Sequence, residues 1–466
     1  MQPHADTWAA QQFSTGSFGD LRLAKRSVVL ASALLRHAQS SIPQACQSWA
    51  ATKGAYRFFS NDRVTSAEML ESHHQQLRHD ITDQDTVLVA QDTTTLNLSN
   101  RQIAGIGLVG DGGSAKNPLQ GLYVHSGLAM TTEGLPLGLV SQKIYGRKAE
   151  TTTVTYRKTV KAKPITEKET YRWVETLQQA KDAVAGKHLV VIGDRESDIY
   201  EVFRQGHELG VDLLVRTNQN RSLVGKATGT TTKLFDNAVQ GSVIVAYKTT
   251  VPVDVHKTRV ATLTIRISHI ALPPPKSRDR DKQRPAIPLT VLNVMEEQPP
   301  ADVAPVHWML TTSLGVTSPE AAIEKVTWYM YRWRIERFHY TLKTGAFNVE
   351  RLQFETMDRF AKAITLYSLV AVRILFLLHY ERLHPDADAA ALFSPQEVCV
   401  LAYQEGKAST NVTLHEAMIA VAKLGGYLAR GQDGPPGIKA LWIGYQRLQD
   451  LVAGMQLARE GDVGKD

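Results

Sequence analysis

KHLVVIGDRESDIYEVFRQGHELGVDLLVRT, residues 187–217, reads as strand, helix, strand. KHLVVIGD (187–194) is an apolar run that ends abruptly in a carboxylate, the pattern of a buried strand. SDIYEVFRQGHEL (197–209) has helical spacing with Ser197 as its cap, and VDLLVRT (211–217) is apolar again. Upstream, TVLVAQD (86–92) is a second apolar run closed by an aspartate. LQGLYVHSGLAMT (119–131) and LPLGLVSQKIYG (135–146) are two more strands, and 166–185 is an amphipathic helix. Strands alternating with helices make an α/β layer. Asp92 and Asp194 are both expected at carboxyl ends of strands, where ligands gather in such sheets.

Downstream the rhythm changes. GSVIVAYKTTVPVDV, RVATLTIRISHIAL and IPLTVLNVMEE alternate and are β-branched, which predicts an antiparallel β insertion over 218–305. PPPKSRDRDKQRPA (273–286) is an exposed charged tip, and VHWMLTTS (306–313) returns to an apolar strand. The glycine-rich loop 105–118 fits neither a dinucleotide nor a P-loop pattern and is given no phosphate role. Residues 318–345 are expected to form one long helix, with Ser318 as cap and Pro319 in the first turn. The remainder reads as helices over 357–381, 412–430 and 437–457. At the other end, 21–39, 45–60 and 66–79 are helical with basic faces.

The chain has 466 residues, a formal net charge of +7 and a sequence pI of about 9.1, which suggests a polyanionic partner. Two cysteines exclude a disulfide framework or zinc cluster and fit a reducing cytoplasm. MQPHADTWAAQQF lacks the pattern of a secretory signal. The apolar stretch 361–380 carries Lys362 and Arg373 and reads as a core helix rather than a membrane span.

Within YMYRWRIERFHYTLKTGA (329–346), Tyr329, Arg332, Glu336 and Lys343 stand at offsets 0, +3, +7 and +14. At about 100° per residue they share a helical sector of roughly 60°. A phenol, a guanidinium, a carboxylate and an ammonium thus occupy a stripe that a core-facing helix would fill with apolar residues; a salt-bridged surface helix would produce the same stripe. Tyr340 falls on the same face. Trp333, Ile335 and Phe338 are expected to anchor the helix to the core.

These residues carry a resemblance. Y-x2-R-x3-E-x6-K with RWRIE-x-FH-x4-KTGA resembles the DDE transposases of the insertion-sequence four family, especially the transposon five (insertion sequence fifty) type. QDTTTLNLS and GDRESDIYEVF are similar to the segments around that family's first and second catalytic aspartates. GD-x-R with KGAYRFFSN resembles its end-recognition domain, and AKLGGYLAR with ALWIGYQRLQ its dimerisation region. The blocks run in order across nearly the whole chain. FNVERLQFE departs from the pattern, with Gln353 in place of an expected arginine.

The resemblance implies a ribonuclease-H-like α/β catalytic core (76–217 and 306–375) interrupted by the antiparallel β insertion. A helical DNA end-recognition domain (1–75) and a helical dimerisation domain (376–466) would flank it. It assigns Asp92, Asp194 and Glu336 to two divalent ions, Mg²⁺ with Mn²⁺ also accepted. Tyr329, Arg332 and Lys343 become phosphate contacts, and Arg195 and Arg216 basic neighbours of the site. Trp308 becomes an aromatic that replaces a flipped base during hairpin formation. In the N-terminal helices Arg22, Arg26 and Arg57 are expected DNA contacts. The implied partners are double-stranded DNA, as transposon ends and target, and a second copy of the chain in a synaptic complex. No membrane is involved, and the expected location is a bacterial cytoplasm, at the nucleoid. The implied activity is cut-and-paste transposition. A ribonuclease-H-like nuclease without transposition and a catalytically silent DNA-binding inhibitor remain open on the sequence.

Overall fold

The structure is a computed structural model that describes residues 5–13, 18–110, 119–147, 163–224, 231–252, 258–275, 284–407, 411–431 and 433–463. Most of the charged tip and the glycine-rich GDGG run therefore lie outside the described residues.

The chain opens on α1 (Ala5–Phe13), α2 (Leu21–Arg36), α3 (Ile42–Cys46), α4 (Trp49–Phe59) and α5 (Ser66–Asp80). Side chains start three of these helices. Asp20 accepts the Arg22 N–H, Ser48 the Ala51 N–H, and Thr65 forms a reciprocal pair with Glu68. Ala24, Ser27, Leu30, Ala31, Leu34 and Leu35 bury one face of α2, which leaves Arg22 and Lys25 in solvent. The single helix expected over 45–60 is two. Gln47 takes a left-handed backbone, φ 56°, that ends α3, and Ser48 then caps α4.

The middle of the chain comprises β1 (Thr86–Asn97), β2 (Gly107–Leu108), β3 (Gln120–Met130), β4 (Pro136–Tyr145), α6 (Tyr171–Ala183), β5 (His188–Gly193), α7 (Tyr200–Leu209) and β6 (Asp212–Arg216). β7 (Ser222–Val224), β8 (Thr231–Lys233), α8 (Leu234–Val239), β9 (Ser242–Pro252), β10 (Thr258–Leu272), β11 (Ile287–Glu296) and β12 (His307–Thr312) follow. Among the described residues one mixed sheet runs β2-β3-β1-β5-β6-β12-β11-β10-β9, with β4 on β3. β4, β3 and β1 are antiparallel, whereas β1, β5 and β6 are parallel. This is the ribonuclease-H-like order. Of the insertion strands, β7 and β8 form a small two-stranded sheet of their own. β9, β10 and β11 continue the main sheet, because β12 pairs antiparallel with both β11 and β6.

Period-two alternation decides which side of this sheet each residue serves. Leu88, Ala90, Val190 and Ile192 enter the core shared with the C-terminal helices, while Val87, Val89, Leu189 and Val191 enter a second core under α6 and α7. By the same parity Asp92 and Asp194 belong on the first face.

That face is covered by α9 (Pro319–Met330), α10 (Trp333–Tyr340) and α11 (Met357–Leu383), followed by α12 (Pro395–Gln404), α13 (Leu414–Leu424) and α14 (Ile438–Val463). The long helix expected over 318–345 is interrupted twice. At Tyr331–Arg332 the backbone tightens to three-residue hydrogen bonds, Arg332 N–H to Tyr329 O and Ile335 N–H to Arg332 O, both 3.1 Å. At Thr341–Gly345 it opens into a π turn. α11 is apolar and long enough to cross a membrane, yet 83% of its most apolar window is buried inside the protein, so it is a core helix. It runs unbroken through residue 375, where a domain boundary was expected.

Candidate active site

Asp92 is not at a strand end. β1 continues five residues past it, paired with β3 from Asp92↔Ser126 to Asn97↔Gly121. What ends near Asp92 is the parallel pairing with β5, last formed at Ala90↔Ile192. The carboxylate therefore stands where the sheet opens on one side. Its Oδ1 accepts the Thr93 N–H at 2.8 Å. Burial pushes its pKa up to about 7; Asp194 and Glu336 push the same way, against the Thr93 N–H and Arg332.

Asp194 directly follows β5. Its Oδ1 caps a short turn over Arg195–Ser197 by accepting the Glu196 N–H at 2.8 Å. Ser197 does not cap α7 as expected. Its hydroxyl donates to the Asp194 carbonyl at 2.7 Å, and α7 begins later, at Tyr200.

Glu336 comes from α10. Its Oε1 accepts from the buried Arg332 guanidinium at 2.6 Å. The Tyr329 ring is buried nearby; burial pushes its phenol up in pKa, and the charges of Arg332 and Arg216 pull the other way. The Trp308 ring, half-buried on β12, lies 5.9 Å from the Tyr329 ring, and Arg216 reaches the His307 carbonyl at 3.5 Å. Lys343 Nζ donates to the Thr95 carbonyl of β1 at 2.8 Å. The structure thus brings Asp92, Glu336, Tyr329, Arg332, Lys343, Arg216 and Trp308 into one neighbourhood. Arg195 is exposed beside Asp194.

The remaining expected contacts lie on the N-terminal helices. Arg22 is exposed and paired with Asp20, the Arg26 guanidinium packs over Gly54, and Arg57 is exposed. Arg57 lines a groove of about 820 Å³ with Trp49, Lys53 and Tyr56. Trp333 is a correction. It is 52% exposed and does not anchor α10; Ile335 and Phe338 do.

Two residues escaped the sequence reading. His339 is buried, with Nδ1 3.9 Å from Asp92 Oδ2 and Nε2 without a partner; burial pushes its pKa down to about 3, so it is neutral. Its position three residues after Glu336 was the available signal. Arg172, on α6, had none. From the opposite face of the sheet its Nε donates to Thr93 Oγ1 at 3.0 Å and its terminal nitrogen to Glu196 at 2.7 Å. It ties the strand of Asp92 to the turn after Asp194.

Among the described residues no three His, Cys, Asp or Glu side chains are placed around one ion position. The donor chemistry nonetheless fits hard divalent cations. Asp92, Asp194 and Glu336 supply carboxylate oxygens, the donors such ions take.

The chain matches the Transposase DNA-binding family over residues 5–64, the Transposase DDE domain over 142–373 and the Transposase Tn5 dimerisation domain over 369–463. The DDE match contains Asp194 and Glu336; Asp92 precedes it. Among solved structures the chain is similar to a piggyBac transposase in a synaptic complex with hairpin DNA, at 8% identity and a TM-score of 0.36, covering 93% of this chain and 75% of that one. With DNA-binding, DDE and dimerisation matches succeeding one another from residue 5 to residue 463, the chain belongs to the Tn5-like DDE transposases and is a DNA transposase.

Proposed function

We propose that the protein is a cut-and-paste transposase that binds terminal inverted repeats, cleaves both strands at each end through a hairpin, and joins the freed ends to target DNA. The supporting observation is the convergence of Asp92 from β1, Glu336 from α10 and the Arg332–Tyr329–Arg216 cluster, with Asp194 acting on Asp92 from the end of β5. Asp92 would be shared between two divalent ions, with Asp194 completing one ligand set and Glu336 the other. Bound there, Mg²⁺ or Mn²⁺ supplies the Lewis-acid chemistry of in-line phosphodiester displacement. Arg332 holds Glu336 in place and, with Lys343, presents positive charge where a DNA strand would cross the carboxylates. His339, neutral and buried, packs beside Asp92.

The direct test looks for imperfect inverted repeats in the DNA flanking the gene and uses them as substrate. Metal-dependent nicks at the repeat ends and joined ends in a synaptic complex are expected. Nicking without end joining would favour a plain nuclease.

Two residue-level outcomes follow from the geometry. Trp308 is half-buried against Tyr329, and its ring would stack on a base extruded beside the site. Extrusion costs a few kcal/mol of stacking that an aromatic partner offsets. Trp308→Ala is expected to slow hairpin formation about tenfold or more at nearly unchanged first-strand nicking, since one base–aromatic stack contributes about 1–3 kcal/mol. An unchanged hairpin yield removes Trp308 from the site. Arg332→Lys keeps the charge but loses the planar guanidinium that holds Glu336. Cleavage is expected to fall on the order of 10²-fold, while the salt dependence of DNA binding stays the same. Near wild-type cleavage would show that Arg332 acts as charge alone.

A further inference from the structure

The parallel ladder between β1 and β5 stops two residues short of the aspartates. Its last pair is Ala90↔Ile192, and two residues further along each strand come Asp92 and Asp194. Strand pairing therefore does not itself set the separation of the two carboxylates. A side chain from α6 spans this gap on the opposite face of the sheet. Arg172 lies in the first turn of α6 and is buried. Its Nε donates to Thr93 Oγ1 at 3.0 Å, one terminal nitrogen to Glu196 Oε2 at 2.7 Å, and the other to the Glu169 carbonyl at 3.0 Å.

Thr93 and Glu196 are also the residues that hold the aspartates through the main chain. Thr93 N–H donates to Asp92 Oδ1 and Glu196 N–H to Asp194 Oδ1, each at 2.8 Å. One guanidinium thus grips, by their side chains, both residues that orient the carboxylates by their backbones. Holding Oδ1 fixes where Oδ2 points. Thr93 is braced in turn. Because its hydroxyl accepts from Arg172, its own proton is available to His125 Nδ1 at 2.8 Å, and the His125 Nε2 proton then points at Gln91 Oε1, 3.4 Å away. His125 is buried with its ring 4.7 Å from that of Trp173, the buried neighbour of Arg172 on α6. The Glu196 side chain is 64% exposed, so its arm is the weaker of the two.

We propose that Arg172 is a positioning residue for metal binding, which fixes from behind the sheet the separation and orientation of Asp92 and Asp194. The proposal rests on the reading that these two carboxylates hold the divalent ions. Partners that orient ligating carboxylates typically change metal affinity about 10–100-fold when they are lost. The planar fork is what the place requires, because its three nitrogens reach Thr93, Glu196 and Glu169 at once. A lysine ammonium is a single point on a flexible stem and does not span all three.

The test measures Mn²⁺ binding to the full-length chain directly, from the loss of the free-ion paramagnetic signal, beside metal-free melting and the Mn²⁺ dependence of cleavage. Arg172→Lys and Thr93→Val are each expected to raise the half-saturating Mn²⁺ concentration about 10–100-fold, with cleavage largely recovered at saturating Mn²⁺. Thr93→Ser, which keeps the hydroxyl, is expected to recover most of the binding lost in Thr93→Val. The double variant Arg172→Lys/Thr93→Val is expected to bind no more weakly than the weaker single one, because both changes break the same link. An Arg172→Lys protein that melts lower without metal yet binds Mn²⁺ as wild type does would confine Arg172 to packing and overturn the proposal. Unchanged Mn²⁺ binding in Thr93→Val overturns it too, and does so even where Arg172→Lys does not fold. An Asp92→Asn variant that binds Mn²⁺ as tightly as wild type overturns the metal assignment itself, and the proposal with it.

Discussion

Asp92→Asn is expected to yield a protein that binds DNA, melts at a higher temperature than wild type in metal-free buffer, and cleaves at least on the order of 10³-fold more slowly. The two halves of this result have one cause. The Asp92 carboxyl is partly buried near Asp194 and Glu336, and its pKa is pushed from 3.8 up to about 7. The folded protein therefore keeps a proton that the unfolded chain has already lost. Stability is greatest below the unfolded value and falls as pH rises from about 4 to about 7, after which the loss is complete. At pH 8 the asparagine variant escapes that loss, estimated at about 1–3 kcal/mol after allowing for solvent screening. A rise in Tm of about 1–4 °C follows. Adding Mg²⁺ or Mn²⁺ should raise the wild-type Tm with ion concentration, and the variant should lose most of that gain. Melting curves with and without metal, beside a cleavage assay, test both halves. Cleavage within tenfold of wild type would remove Asp92 from the site. A lower metal-free Tm would show that its carboxyl is not crowded.

Gly444→Ala, or Gly425→Ala, is expected to destabilise the C-terminal helices by about 3–5 kcal/mol and to weaken the dimer. α13 and α14 cross where these glycines face each other. A methyl on Gly425 would stand 1.7 Å from the Ala440 carbonyl oxygen, and one on Gly444 1.7 Å from the Val421 carbonyl oxygen. Both obstacles are backbone, so no side chain can rotate away. The helices would have to separate, which would also lift buried Leu441 and Trp442 from the core. Because the dimerisation family matches residues 369–463, the loss should appear as faster proteolysis beyond α11 and a shift toward monomer in sedimentation. Wild-type proteolysis and sedimentation in either variant would show that the crossing can relax without cost.

The sheet was legible because apolar runs and their polar stops are local. Asp194 stands where KHLVVIGD places it, directly after β5. Asp92 illustrates the limit. TVLVAQD stops being apolar at 92, but β3 keeps β1 paired to Asn97, and pairing is a property of the partner strand. The stripe of Tyr329, Arg332 and Glu336 was legible although the helix beneath it is not regular. The tightened turn at 331–332 and the π turn at 341–345 depart from 100° per residue in opposite senses, and Lys343 still reaches β1. Trp333 was misplaced for that reason. It begins a new helix after the tightened turn and faces out. Arg172 could not be found from sequence, because its partners Thr93 and Glu196 belong to elements brought beside it only by the fold. The Gly425–Gly444 crossing was invisible for the same reason.

The pairing of β12 with β6 sets Leu310 beside Arg216, across an excursion of more than ninety residues whose strands β9, β10 and β11 add to the far side of β12. For a flexible chain the entropy of closing such a loop grows only with the logarithm of its length. Relative to a turn of roughly ten residues, the long excursion costs only about 2 kcal/mol more. The return strand carries Trp308, so that residue's place is set by the register of the re-entry rather than by the contour length spent in between. The excursion can therefore be lengthened, shortened or exchanged at its far end with little thermodynamic penalty, while the aromatic ring beside Tyr329 stays where it is.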